Sequence, residues 1–452
     1  MSELVDAAER AVEAALAAGA TDAEAYAAEE AGREVRVYDG AVESLTAATE
    51  RGLGLRAWNG QRAGYAYGTD LSEQGVAATA ARAAEAAAAA DEDEFAAPPR
   101  QAGDPPRVEG LLDAGSIELP TPEVVDLVLA VERTALEADR RIAGVEQTVY
   151  ADSVERVAIR SSAGVAGEHE ASSCYAYLQA LAEADGGGRE TGLGFGLARG
   201  PAGLDPVAIG REAAQRAVAM IGAGKPASRA CPVVLDPTVA AGFAGLIGST
   251  LAANAVQRGR SPFASMLGEE VAGEALVLHD DGLDPEGLAS APFDGEGVPR
   301  RRTALIEGGR LRTFLHDTYT GRRDGAGSTG SAGRSGYRSR PSAATSNLVV
   351  ATGDLALEAL LREAGEGVYI TDVAGLHSGV NPVSGVFSVG ASGQTIRGGA
   401  LAEPVREMTI ASDLVSMLRA VRAAGEEARW VPFGGSVRTP PLLVAEMTVS
   451  GS

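Results

Sequence analysis

The stretch that decides the reading is CPVVLDPTVAAGFAGLIGSTLAANAVQRGRSPFASMLGEE, Cys231 to Glu270. Val233, Val234 and Leu235 form a continuous apolar run, as in a strand buried on both faces. Asp236-Pro237-Thr238 then stops the strand and starts a helix: Asp caps free N–H groups, and Pro suits the first helical turn. Phe243, Leu246, Ile247, Thr250, Leu251 and Asn254 recur at three- and four-residue spacings, which predicts a helix running to about Val256 and ended by Gly259. A strand, a capped turn and an apolar helix in this order point to mixed α and β structure.

Composition bounds the rest. Of 452 residues 45% are hydrophobic but only 4% aromatic, so the core is built from Ala, Val, Leu and Ile and needs close contacts between elements. Arg and Lys number 39 against 62 Asp and Glu, giving a net charge of −23. That disfavours nucleic acid and anionic membranes as direct partners, since both need a basic footprint. The two cysteines, Cys174 and Cys231, are too few for a disulfide framework and fit a reducing compartment. The first twenty residues are acidic and amphipathic, unlike a signal peptide, and no apolar run is long enough to span a bilayer. A soluble cytoplasmic protein is expected.

Outward from the central stretch, residues 1–225 read as an α+β domain. Asp39-Gly40 and Asn59-Gly60 are hairpin signals between alternating runs, so an antiparallel meander with packed helices is expected. An acidic, then Pro-rich stretch at 91–107 reads as a linker or exposed crossing loop. Gly222, Gly224 and Pro226 break the chain, and a second domain, 226–452, is richer in strands and glycine. Within it Gly308-Gly309 and Gly398-Gly399 each mark a hairpin. Gly321 to Arg340 is a Gly/Ser/Arg segment, either a surface loop disordered in the isolated chain or a flap over a channel or partner surface.

Candidate chemistry is sparse. His169-Glu170-Ala171-Ser172-Ser173-Cys174 mimics a metal motif, but it lies among strand-like runs, where residues five apart point to opposite faces. Even on a helix, five residues turn roughly 500° and leave the side chains about 140° apart. His279, His316 and His377 are widely scattered. No G-x-S-x-G elbow or phosphate loop is present. The most distinctive late segments are Gly375-Leu376-His377-Ser378-Gly379-Val380-Asn381-Pro382-Val383-Ser384-Gly385, whose glycines permit close backbone approach, and Glu403 to Ser412 followed by Leu414.

These segments, with Gly52-Leu53-Gly54-Leu55-Arg56 and the helix after Asp236, resemble the TldD/TldE (PmbA) family of zinc peptidases over nearly the whole chain. The resemblance implies a two-domain α+β fold. In the family's catalytic branch the helix carries His-Glu-x-x-x-His; here Gly245, Leu246 and Thr250 stand at the first His, the Glu and the second His. The family's third zinc ligand is a late Cys, and the matching region, Trp430 to Val437, has neither Cys nor His. Gly has no side chain, Leu is no base, and neutral Thr is a poor ligand beside imidazole. The resemblance therefore implies a TldE/PmbA-like subunit with no catalytic residue and no metal of its own. It implies pairing with a TldD-like zinc subunit and cleavage of unstructured peptides by the pair; whether a homodimer forms when the chain is alone is left open by the sequence. His377, Asn381 and Ser384 are the candidate channel residues. The competing reading is a homodimeric peptide-binding or scaffold protein with no role in proteolysis.

Overall fold

In the computed structural model the described residues are 1–100, 103–113, 115, 119–184, 188–432 and 435–451. The expected α+β class with antiparallel sheets is what the chain adopts. Its first half is one order of elements used twice. Helix Ser2–Ala17 leads into β1 (Asp22–Tyr38), β2 (Ala41–Asn59) and β3 (Arg62–Gly68), followed by helix Glu73–Ala89. Helix Thr121–Ala138 then leads into β4 (Ile142–Ser161), β5 (Ala166–Glu183) and β6 (Arg189–Ala198), followed by helix Pro206–Ala219. The sheet order β3-β2-β1-β4-β5-β6 places the copies symmetrically about the antiparallel β1–β4 pair.

Local chemistry explains each meander. Asp39 and Gly40 both take positive φ, 52° and 72°, and form the two-residue loop between β1 and β2. At the second hairpin Asn59 still pairs with Arg62, so Gly60 and Gln61 form the loop, one residue later than the Asn-Gly signal suggests. Ala23, Ala25 and Ala27 face the first pair of helices with Leu53 and Leu55, while Tyr150, Ala176 and Leu178 face the second pair. With so few aromatics, the helices must come very near the sheet. A Cβ on Gly64 of β3 would overlap Ala83 O and Ala87 N; a Cβ on Gly192 of β6 would overlap Ala213 O and Ala217 N. The same contact, glycine against backbone atoms four residues apart, recurs in both copies.

The second half has two larger sheets. β7 (Arg229–Leu235), β14 (Gly367–Ala374), β15 (Val386–Arg397), β16 (Ala400–Asp413) and β20 (Leu442–Ser450) form a ring closed by the β16–β20 pairing, with β17 (Val421–Ala424) flanking β20. β8 (Leu278–Asp281), β9 (Arg302–Glu307), β10 (Arg310–Leu311), β13 (Asn347–Val350), β18 (Arg429–Val431) and β19 (Ser436–Thr439) form the other, ordered β10-β9-β8-β13-β19-β18. A short antiparallel pair, β11 (Ala332–Gly333) and β12 (Ser342–Ala343), stands apart from both. Helix Pro237–Thr250 lies between the two larger sheets. Val239, Phe243 and Ile247 share a core with Leu235 and Ile370 of the ring and with Leu348 and Val437 of the second sheet. The Gly308-Gly309 and Gly398-Gly399 hairpins form as expected, all four glycines at positive φ.

The structure corrects two expectations. The helix ends at Thr250, not Val256, and a separate turn of helix spans Ala253–Gln257. The cause is tertiary: Leu315 N–H donates to Leu251 O at 3.0 Å, and Ala253 N–H donates to Leu315 O at 2.8 Å, which holds Ala252 extended. Nor is Gly321 to Arg340 a loose surface loop. Thr329, Ser331, Ala332 and Tyr337 are buried, and Tyr337 sits over Gly52 and Gly54 of β2. Ala332 N–H donates to Asp294 Oδ2 at 2.9 Å and Thr329 N–H to His316 O at 3.0 Å. Amide exchange in the isolated chain is therefore expected to be slow at Thr329 and Ala332. Full exchange there within seconds would restore the loose-loop reading.

Candidate functional site

The site is built around the entry to helix Pro237–Thr250. Asp236, at the end of β7, caps the helix: its Oδ1 accepts from Thr238 N–H at 2.9 Å. Its Oδ2 accepts from Tyr369 Oη at 2.7 Å and from Arg216 Nη2 at 3.2 Å. Tyr369 comes from β14 and Arg216 from helix Pro206–Ala219, so one buried carboxylate ties both halves of the chain to the helix start. Burial and the adjacent Asp236 push the Tyr369 phenol upward, which keeps it a donor at neutral pH. Beside these groups lies a cavity of about 710 Å3 whose lining includes Gln394, Asp372 and the Arg406–Glu190 ion pair (2.6 Å) between the halves. In the sequence Asp236 is legible only as a cap. Nothing local marks Arg216 and Tyr369, which meet it from distant strand and helix positions.

Further along, Gly245 and Leu246 lie half-buried, Ser249 is exposed and Thr250 is 3% exposed. Both hydroxyls turn back onto the helix: Thr250 Oγ1 donates to Ile247 O at 2.7 Å and Ser249 Oγ to Leu246 O at 2.6 Å. Leu246 packs on the core as a plain apolar residue. Zinc does not fit this face. It offers no imidazole, thiolate or carboxylate, and the one buried hydroxyl is already committed to the backbone. Among the described residues no three His, Cys, Asp or Glu side chains are grouped to hold a metal ion. Phe433 and Gly434, where the resemblance looks for a late Cys, lie outside the described residues.

The other candidates settle by position. His169 and Cys174 are on β5, as expected, and on opposite faces: Cys174 joins the core beneath the second pair of helices, while the His169 ring meets Phe293 edge-on at 5.1 Å. Burial, with the nearby Arg300, pushes His169 down to about 4, so it stays neutral. His377, Asn381 and Ser384 are all exposed, on the segment joining β14 and β15. That segment lies along the open side of the helix, where a Cβ on Gly242 would press on Leu376. Asn381 shapes the turn: its Oδ1 accepts from Val383 N–H at 2.9 Å and Ser384 N–H at 3.1 Å. None of the three lines the 710 Å3 cavity.

Comparison with known proteins agrees with this architecture. Residues 228–451 match the PmbA/TldA metallopeptidase C-terminal domain, 115–221 its central domain and 23–88 its domain 1. The chain is 29% identical to Metalloprotease PmbA of Escherichia coli O157:H7 over 449 residues, covering 96% of this chain and 94% of that protein. It is 30% identical to the Metalloprotease PmbA homolog of Haemophilus influenzae over 455 residues, covering 100% of this chain and 96% of the relative. The crystal structure of TldE from Thermococcus kodakarensis superposes with a TM-score of 0.90, covering 98% of this chain and 100% of that one; at 21% identity this likeness speaks for the fold. Matched along nearly its whole length by domains, relatives and fold, the chain belongs to the PmbA/TldD family of metallopeptidase-like proteins.

Proposed function

We propose that this chain is the TldE/PmbA-like, non-catalytic subunit of a two-chain zinc metallopeptidase that cleaves unstructured peptides. One observation carries the reading: the helix that would hold the metal presents Gly245, Leu246 and a Thr250 hydroxyl bonded to its own backbone. A TldD-like partner would bring the zinc, its ligands and the catalytic carboxylate. This chain contributes the wall and the gate. The segment carrying His377, Asn381 and Ser384 runs beside the open side of the helix, and extended peptides need backbone edges more than particular side chains. The proposed setting is the cytoplasm, in keeping with two cysteines, Cys174 and Cys231, that are both free thiols; among the described residues no helix is long and apolar enough to cross a membrane.

The test uses the purified chain alone and mixed with a homologue bearing His-Glu-x-x-x-His. Alone, it is expected to keep no stoichiometric zinc through dialysis and to leave an unfolded peptide intact. Mixed, the two are expected to co-elute with about one zinc per pair and to cut the peptide until a chelator is added. About one zinc retained by this chain alone would sink the proposal. A stable homodimer that ignores the homologue would favour the scaffold reading instead.

A further inference from the structure

A second cavity, of about 350 Å3, opens between the first sheet and the later chain. Its size is at the lower end for small-molecule sites. Trp58, Phe95 and Tyr319 supply aromatic walls, the last two edge-to-face at 6.2 Å. The stretch carrying Phe95 is fastened by Arg322, whose guanidinium donates to Ala97 O at 2.6 Å and Pro98 O at 2.8 Å. Two buried carboxylates, Glu296 and Asp317, lie inside. Glu296 is answered by Arg56 at 2.8 Å and by Thr318 N–H at 2.7 Å. Asp317 accepts from Thr320 N–H at 2.7 Å and Thr320 Oγ1 at 2.6 Å, and among the described residues no cation pairs with it. Arg258, Arg323 and Arg340 are exposed on the lining, and none forms an ion pair among the described residues.

The order of charges is selective. A simple anion satisfies the arginines but gains nothing from the carboxylates. A simple cation meets the arginines first. A molecule with an amino group at one end and a carboxylate at the other answers both, and aromatic faces favour its ammonium group. Burial and the neighbouring Glu296 push Asp317 upward, and an incoming cation would favour its carboxylate form. We propose that this cavity binds a short peptide as a zwitterion, its amino terminus on Asp317 and its carboxylate on the exposed arginines. The site uses residues of this chain alone and does not depend on the peptidase partnership.

The experiment titrates the full chain with Ala-Ala, N-acetyl-Ala-Ala and Ala-Ala amide, followed by calorimetry and by Trp58 fluorescence in a Trp430→Phe background. Saturable binding of Ala-Ala is expected, weakened about tenfold or more by blocking either end, as for loss of a charge-assisted hydrogen bond. The double variant Arg323→Gln/Arg340→Gln is expected to bind Ala-Ala no better than wild type binds the amide. Acetylated peptide binding as tightly as Ala-Ala would overturn the proposal in favour of a plain anion site. Absence of saturable Ala-Ala binding would overturn it altogether. The blocked peptides probe the unaltered protein, so the proposal stays open to refutation even if a variant fails to fold.

Discussion

Arg334→Met is expected to lower the urea-unfolding free energy by about 3–5 kcal/mol, the usual cost of breaking a buried ion pair from one side. Arg334 is 2% exposed and bonds Glu24 (0% exposed) at 2.5 Å, across 310 positions of sequence. Its guanidinium also donates to Gly295 O and Ser339 O and lies 4.6 Å from the Tyr26 ring centre. Glu24 is shared with Arg56, which in turn holds Glu296. Two buried cations thus balance two buried carboxylates, and removing one cation leaves a buried negative excess with two carbonyls short of donors. Arg338→Met is the control. Four residues away, Arg338 pairs with Glu50 at 52% and 53% exposure, and its loss is expected to cost about 0–1 kcal/mol. Equal costs for the two variants would show that water reaches Arg334.

Gly192→Val carries the second large effect, a loss of about 3 kcal/mol or more, because the new side chain overlaps backbone atoms of a neighbouring helix that cannot rotate away. Gly64→Val is expected to behave alike in the first copy. Gly144→Val, in β4 of the same sheet, is the matched control: a Cβ there meets nothing within 4 Å, and a change within about 0.5 kcal/mol is expected. Urea unfolding followed by far-ultraviolet circular dichroism reads all three. A mild Gly192 variant would mean that the helices can move outward without loss, against the tight docking of both copies.

Legibility in the sequence followed the range of the forces. The β7 strand, the Asp236 cap, Pro237 and the glycine hairpins rest on neighbours in sequence and could be read directly. The end of the helix could not, because Leu315 pulls Ala252 out of helical geometry from 63 positions away. Gly/Ser composition suggested looseness at 321–340, yet one arginine finding Glu24 outweighs it. Alternating charges on β1 and β2 look like any solvated face, so Glu24 and Arg56 gave no sign of burial. The doubled order of elements was in the pattern from the start. Alanine-rich helices with no shared motif hid it, and the paired glycine contacts reveal it. At the candidate site the absence of ligands at 245, 246 and 250 was legible, whereas the Asp236–Tyr369–Arg216 junction existed only in three dimensions.

The closed ring of the second half sets an order on synthesis. β7 is made near the middle of the chain, yet both its neighbours come later: β14 at residues 367–374 and β20 at 442–450. Until β20 leaves the ribosome, β7 and β16 each present an unpaired edge, and the apolar run of Val233, Val234 and Leu235 waits without its cover. The first half has no such wait, since its meanders pair strands as they emerge and its two copies meet at β1 and β4 before residue 162. A nascent chain therefore carries a strand-paired front, whose Glu24 and Arg56 still wait for Arg334 and Glu296, and an open-edged back, and that interval is when it most needs a chaperone.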